Sequence, residues 1–162
     1  MRIRVRGGDE NTRDQVKQAA RWFGEHVVGP KLANNLYVRI DLVPNLQKNE
    51  KCFASVIWLK TNHRPRHFAI ELDANLSKKT RLKCLAHEFV HIRQYSRDYM
   101  KDLYDCTKFR WYKKIFSEHD IDTLYKTLPW EVEARKLEKH FYHAYVRFVH
   151  GTSRKQKASS SF

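Results

Sequence analysis

The sequence contains no long apolar run, few cysteines and no segment resembling a leader, and each absence narrows the kinds of protein it can encode. No stretch of about 18 apolar residues is present, so no transmembrane helix is predicted. Residues Met1 to Arg6 alternate basic and apolar side chains and lack the apolar core of a signal peptide. The cysteines Cys52, Cys84 and Cys106 show no spacing typical of a disulfide framework. These features predict an intracellular, cytoplasmic protein.

Positive charge dominates the composition of the chain. The 162 residues include 32 Lys and Arg against 18 Asp and Glu, a formal net charge of +14. Such a charge attracts polyanions, so we expect nonspecific affinity for nucleic acid at low salt. The basic residues are spread from Arg2 to Lys157, however, and a well-solvated basic surface explains them equally well.

The length and composition are those of one folded domain. Hydrophobic residues make up 41% of the chain, enough to form a core at this size. No internal repeat or linker interrupts residues 1–150, which we assign to a single domain. Residues 151–162 are rich in Ser and Lys and are predicted to form a disordered basic tail.

Hydrophobic periodicity predicts a mixture of strands and helices. Alternating patterns predict strands at residues 2–6, 37–43, 52–59 and 66–72, with the last two paired antiparallel. Helical spacing predicts helices over residues 12–28 and 78–97, and a last helix that begins at Pro129. The segment 102–128 is predicted to be mostly helical but interrupted.

One motif carries recognisable chemistry. His87-Glu88-Phe89-Val90-His91 lies in the middle of the predicted 78–97 helix. A spacing of four places both imidazoles on one helical face, one turn apart, where they can bind a single ion. Zinc binds such nitrogens readily, and Glu88 lies beside them as a general base for an activated water. The alternative is an exposed helix face that happens to carry two histidines and a glutamate.

A catalytic zinc site needs a third protein ligand, which must come from downstream. His119 and Asp120 lie in a predicted loop, whereas Glu131 and Glu133 lie in the first turn of the last helix. The small residue Ala134 would allow that helix to approach the metal helix closely. Cys84, on the same helical face as His87, is either a further ligand or a small buried residue.

The sequence HEFVHIRQY, followed some forty residues later by PWEVEA, resembles the gluzincins, and among them the small SprT-like and phage-encoded metallopeptidases. The resemblance implies an α+β fold, with a small twisted mixed or antiparallel sheet packed on the active-site helix and further helices C-terminal to it. It also implies Zn²⁺, a polypeptide substrate, and Glu131 as the third ligand, with Glu133 as the alternative. One departure is Arg135, which stands where many gluzincins have an aspartate that orients a metal-binding histidine.

The same resemblance places the strand 66–73 near the cleft, where an extended peptide could add to the sheet. The developing oxyanion needs a donor besides the metal, and Tyr125 and His119 are the leading candidates, followed by Tyr95 and Arg93. Gln94 is interpreted as bracing a neighbouring loop.

Two further groups of residues allow a functional or a purely structural interpretation. A second metal site is conceivable on the last helix, although a surface location is the better interpretation of its three histidines, His140, His143 and His150. An aromatic cluster interleaved with lysines resembles a base-stacking patch; it consists of Trp111, Tyr112 and Phe116. The alternative is an amphipathic helix in which these rings are buried.

The sequence thus predicts a zinc-dependent metallopeptidase, with proteins associated with nucleic acid as a candidate substrate class. The alternative is a nucleic-acid-binding protein with a structural or vestigial zinc site. A third hypothesis is a zinc hydrolase acting on a non-peptide amide in a closed pocket. The sequence makes no prediction of the oligomeric state.

Overall fold

The computed structural model describes residues 1–59, 64–103, 107–117, 119–120 and 125–159. The strands are β1 (Arg2–Arg6), β2 (Tyr37–Val43), β3 (Ala54–Trp58), β4 (His67–Asp73), β5 (Met100–Leu103), β6 (Lys108–Trp111) and β7 (Lys114–Ser117). The α-helices are α1 (Glu10–Phe23), α2 (Pro30–Ala33), α3 (Leu46–Glu50), α4 (Lys78–Ser96) and α5 (Pro129–Ser159). A π-helical turn (Gly24–Val28) extends α1, and a 3₁₀ turn (Tyr125–Thr127) precedes α5.

The main sheet is four-stranded and mixed, with the order β1-β2-β4-β3. Strands β1, β2 and β4 are parallel, and β3 runs antiparallel to β4. The predicted strands and the antiparallel pairing of the third and fourth are therefore confirmed. The expectation that β4 offers an edge to a peptide is wrong, because β2 and β3 flank it on both sides. The edge strand next to β4 is β3.

The hydrophobic core lies between one face of this sheet and the helices α1 and α4. The sheet supplies alternate residues such as Val38, Ile40, Phe68 and Ile70, all fully buried. The apolar positions predicted for the two helices are buried as well: Val16, Ala19, Ala20, Phe23, Val27, Leu82, Leu85, Ala86, Phe89 and Ile92.

Helix α1 begins at Glu10, two residues before the predicted start, and α4 begins at Lys78 as predicted. Asp9 caps α1 by accepting a hydrogen bond from the Thr12 amide, and Ser77 does the same for α4 from the Thr80 amide. The π-helical turn after α1 ends at Gly29, whose φ of 101° is readily adopted only by glycine. Helix α4 thus ends at Ser96, one residue earlier than predicted.

The prediction of a mostly helical segment over residues 102–128 is wrong in the described part of that range. Strands β5, β6 and β7 form a separate antiparallel sheet there. The strands have only four residues each, and two alternating aromatic side chains occur in β6 alone, as Phe109 and Trp111, so the pattern is too short to distinguish from helical spacing. The contacts that favour the strands are with Trp130, which lies far away in the sequence.

The architecture is α+β, a small mixed sheet packed on the central helix α4 with a further helix C-terminal to it, as predicted. Helix α5 continues to Ser159, past Gly151, where the sequence predicts a tail to begin. A single glycine costs a helix only about 1 kcal/mol, so it need not end one. No helix in the described ranges has an apolar stretch sufficient to cross a bilayer.

Candidate metal centre

Helices α4 and α5 bring three predicted ligands together. The Nε2 atoms of His87 and His91 are 3.0 Å apart. The Glu131 carboxylate faces both of them, 3.4 Å from Nε2 of His87 and 3.2 Å from Nε2 of His91. Among the described residues, these are the three whose ligand atoms cluster closely enough to hold a metal ion.

The three distances fit the ligand shell of zinc. Zinc binds imidazole nitrogen at about 2.05 Å, and a tetrahedral angle then places neighbouring ligand atoms about 3.3 Å apart. The observed separations lie around that value: 3.0 Å between the two Nε2 atoms, 3.4 Å from Nε2 of His87 to Oε2 of Glu131, and 3.2 Å from Nε2 of His91 to the other carboxylate oxygen, Oε1. The side chains therefore need little rearrangement to share one small cation.

Hydrogen bonds at the far side of each imidazole fix which nitrogen is protonated. Nδ1 of His87 is 2.9 Å from Oε2 of Glu138, and Nδ1 of His91 is 2.8 Å from Oε1 of Gln94. Both partners are acceptors, so both Nδ1 atoms must donate. In neutral rings the two Nε2 lone pairs then face each other and a carboxylate. Such an arrangement is repulsive unless a proton or a metal cation lies between the rings.

The orientation of the Gln94 amide follows from its other contacts. Its nitrogen donates to the Trp130 carbonyl at 3.0 Å and to the Glu133 carboxylate at 2.8 Å. Neither of these groups can donate, so the amide NH₂ must face them and the amide oxygen must face His91. Gln94 is fully buried, and its hydrogen bonds link α4 to α5 as well as orienting His91.

Glu88 lies one residue from the ligand His87 and is almost completely buried. Burial raises the pKa of Glu88, an effect that the nearby His91 and His87 reduce and that Glu131 and Glu138 reinforce. Within the described part of the chain, no residue donates a hydrogen bond to this carboxylate. A carboxylate in this environment readily accepts a proton, as the proposed general base must.

The ligands themselves are strongly coupled. Burial alone would lower the pKa of His87, but hydrogen bonds to Glu131 and Glu138 outweigh it and raise the pKa to about 10. Burial would likewise raise the pKa of Glu131, yet its bonds to His87 and His91 hold that pKa well below its usual range. The carboxylate is therefore ionised at neutral pH, as a metal ligand must be.

The three ligands and Glu88 line a cavity of about 270 Å³. Its opposite wall is the edge strand β3, which contributes Ala54, Ser55 and Val56. The remaining lining residues are Cys52, Tyr95, Met100, Tyr125 and Trp130. The cavity therefore places the candidate metal centre beside the edge strand of the described sheet.

The structure separates the other predicted candidates. Glu133 accepts a hydrogen bond from Gln94 and does not belong to the ligand group. Tyr125 lines the cavity, whereas His119 is exposed and is not among the lining residues. Cys84 is not a ligand either, and burial, followed by the charges of Glu88 and Glu138, raises its pKa to about 12.

No second metal cluster is found where residues are described, and His140, His143 and His150 are exposed on α5. The aromatic patch predicted near residue 111 is partly used in packing. The rings of Phe109, Trp111 and Phe116 lie 5.1–6.4 Å from that of Trp130. Because Trp130 immediately precedes Glu131, the small sheet β5-β6-β7 fixes the end of α5 that carries the third ligand.

Sequence reasoning missed the orienting role of Glu138 and interpreted Gln94 only as a brace. Glu138 lies seven residues after Glu131, two helical turns along the same face of α5. This spacing could have identified Glu138 from the sequence, because Arg135, four residues after Glu131, cannot accept a hydrogen bond from a histidine. The acceptor that orients His87 is therefore supplied about one turn further along the helix, by Glu138.

Comparison of this chain with protein-family models, curated proteins and solved structures finds no match.

Proposed function

We propose that this protein is a zinc-dependent metallopeptidase, related to the gluzincins, in which His87, His91 and Glu131 hold the ion and Glu88 is the general base. The observation that carries the proposal is the convergence of two Nε2 lone pairs and one carboxylate beside a buried acid. When bound, zinc supplies Lewis acidity and lowers the pKa of water toward about 7.

The protein residues supply proton transfer and charge stabilisation. Glu88 takes a proton from the attacking water at its carboxylate and returns it to the departing amine, a role favoured by its raised pKa. Tyr125 is the better oxyanion donor of the two predicted. Burial, followed by the charges of Glu131 and Glu88, raises its pKa to about 12, so its hydroxyl keeps its proton at neutral pH.

A polypeptide substrate is favoured by the edge strand. Hydrogen bonds join both ends of β3 to β4: the Phe53 carbonyl accepts from the Asp73 amide, and the Leu59 amide donates to the His67 carbonyl. Alternate residues between these ends, Ser55 and Ile57, also turn their backbone groups toward β4. In an antiparallel pair the intervening residues turn their backbone groups away from the partner. Ala54 and Val56 therefore present amide and carbonyl groups to a peptide lying along the cavity.

The alternative, a nucleic-acid-binding protein with a structural zinc, is less well supported by this geometry. Structural sites are usually closed by four protein ligands, and Cys84 does not join the three found here. In the part of the chain that the structure describes, the set has three members, which leaves a position for water. An intracellular, cytoplasmic location and activity toward nucleic-acid-associated proteins remain predictions.

The proposal is tested by measuring zinc content and cleavage of an unfolded protein by the wild type and Glu88→Gln. The amide preserves the shape of Glu88, so zinc content and folding are retained while cleavage falls by about 10²- to 10⁴-fold. Glu25→Gln, a change at an exposed position, serves as the control and leaves both properties unchanged. Equal cleavage by wild type and Glu88→Gln would contradict the mechanism.

A further inference from the structure

The outer face of the main sheet, opposite the helices, carries a column of arginines. Side chains alternate between the two faces of a strand, and the core takes only inner-face residues from β1, β2, β3 and β4. Parallel strands are usually covered on both faces. Here the outer-face side chains of the three parallel strands lie outside the core, which makes this face a candidate binding surface.

Strand β1 supplies three basic groups to that face. Arg2, Arg4 and Arg6 are all exposed, and none of them has an ion pair or a side-chain hydrogen bond with any described residue. Two residues of a strand span about 6.7 Å, so the guanidinium groups form an evenly spaced row. Asp41, the acidic residue in register with Arg6, is already paired with Arg39, so the three like charges in the row favour a ligand with regularly repeated negative charge.

The neighbouring strands add aromatic rings and a fourth arginine. Arg2 is in register with Tyr37, and Tyr37 with His67; the Tyr37 and His67 rings are 5.5 Å apart. Arg4 is in register with Arg39, whose guanidinium pairs with Asp41 at 2.7 Å. The basic row at the edge of the sheet thus has two rings beside it on the same face, Tyr37 on β2 and His67 on β4.

We infer that this arginine face binds single-stranded nucleic acid, with phosphates along Arg2, Arg4 and Arg6 and a base stacked on Tyr37 and His67. Neighbouring strands are about 4.8 Å apart, so the rings lie about 5 and 10 Å from the arginine row, within the reach of a nucleotide. An acidic peptide would match the charges but not the adjacent rings. A duplex would not expose its bases to them.

This binding surface goes beyond the proposed peptidase activity and lies apart from the cavity. β1 and β3 are at opposite edges of the four-stranded sheet, three strand spacings or about 14 Å apart. A single strand bound to β1 therefore leaves the edge of β3 free. The binding of nucleic acid is expected to be the same in Glu88→Gln as in the wild type, so the two proposals can fail separately.

The test measures fluorescence anisotropy of a labelled single-stranded oligonucleotide as a function of salt, for the wild type and Arg2→Gln/Arg4→Gln/Arg6→Gln. Loss of three phosphate contacts flattens the slope of log K against log salt by about 2, or about 100-fold in affinity between 1 M and 0.1 M salt. The matched control removes the same charge from exposed positions on α5: Lys136→Gln/Lys139→Gln/Arg147→Gln. It leaves the slope nearly unchanged.

A second variant separates stacking from charge. Tyr37→Leu weakens single-strand binding by about fivefold or more without changing the salt slope, and circular dichroism checks that it folds. A duplex of the same sequence and polyglutamate serve as competitors, and both are expected to compete weakly. The inference is overturned if the two triple variants lower the slope equally, if Tyr37→Leu binds like the wild type, or if either competitor is as effective as the single strand.

Discussion

Removal of the Glu138 carboxylate should weaken metal binding without unfolding the protein. Its Oε2 accepts from Nδ1 of His87 at 2.9 Å, which keeps the Nε2 lone pair directed at the candidate ion. Partners of this kind contribute about 10- to 100-fold to metal affinity, or about 1.4–2.7 kcal/mol. We expect Glu138→Ala to weaken zinc binding within that range, and Glu138→Gln by less than about tenfold, because an amide oxygen still accepts from Nδ1.

The effect on folding should be no larger than the effect on metal binding. The Glu138 side chain is only 20% exposed and helps to raise the pKa of His87, so loss of this hydrogen bond should cost the metal-free protein about 1–3 kcal/mol. Zinc affinity is measured by competition with a chromogenic chelator, and the free energy of unfolding by urea titration of the metal-free protein. Glu25→Ala is the control. Unchanged zinc affinity in Glu138→Ala, together with its loss in Glu131→Ala, would refute the orienting role.

Three further changes test the surroundings of the site. Folding raises the pKa of His87 to about 10, so protonation of this residue stabilises the metal-free protein. The stabilisation is complete below about pH 6.5 and is lost as the pH rises through 10. Urea unfolding of chelator-treated protein across that range should show the decline. Gln94→Leu leaves the Trp130 carbonyl and Nδ1 of His91 without partners, so thermal or urea unfolding should show a loss of about 1–3 kcal/mol, with weaker zinc binding. Ala134→Leu inserts three carbons at a fully buried position one turn from Glu131, and should lower stability by about 1–3 kcal/mol and reduce zinc content, both measurable on the purified variant.

Patterns confined to one element were readable from the sequence. The HExxH spacing places His87 and His91 on one face of a helix whatever the rest of the fold does, and the structure brings them within 3.0 Å. The strands 2–6 and 37–43 alternate over enough residues to be assigned correctly. The buried positions of α1 and α4 follow from the same periodicity.

Features that depend on distant contacts were not readable. The sheet β5-β6-β7 depends on the packing of Phe109, Trp111 and Phe116 against Trp130, which no local pattern reveals. The edge position of β3 depends on the order of strands, which sequence alternation does not specify. Local pattern alone did not choose between Glu131 and Glu133, because both lie in the first turn of α5; the family resemblance favoured Glu131, and the direction of approach of α5 brings Glu131 to the two histidines.

The most direct measurement is a crystal structure of the protein grown with zinc, with anomalous diffraction recorded at the zinc edge. A single ion bound by both Nε2 atoms and the Glu131 carboxylate, with Glu88 beside it but not bound, is the predicted result. Zinc bound elsewhere, or imidazoles of His87 and His91 turned away from a common point in the presence of excess metal, would contradict the account.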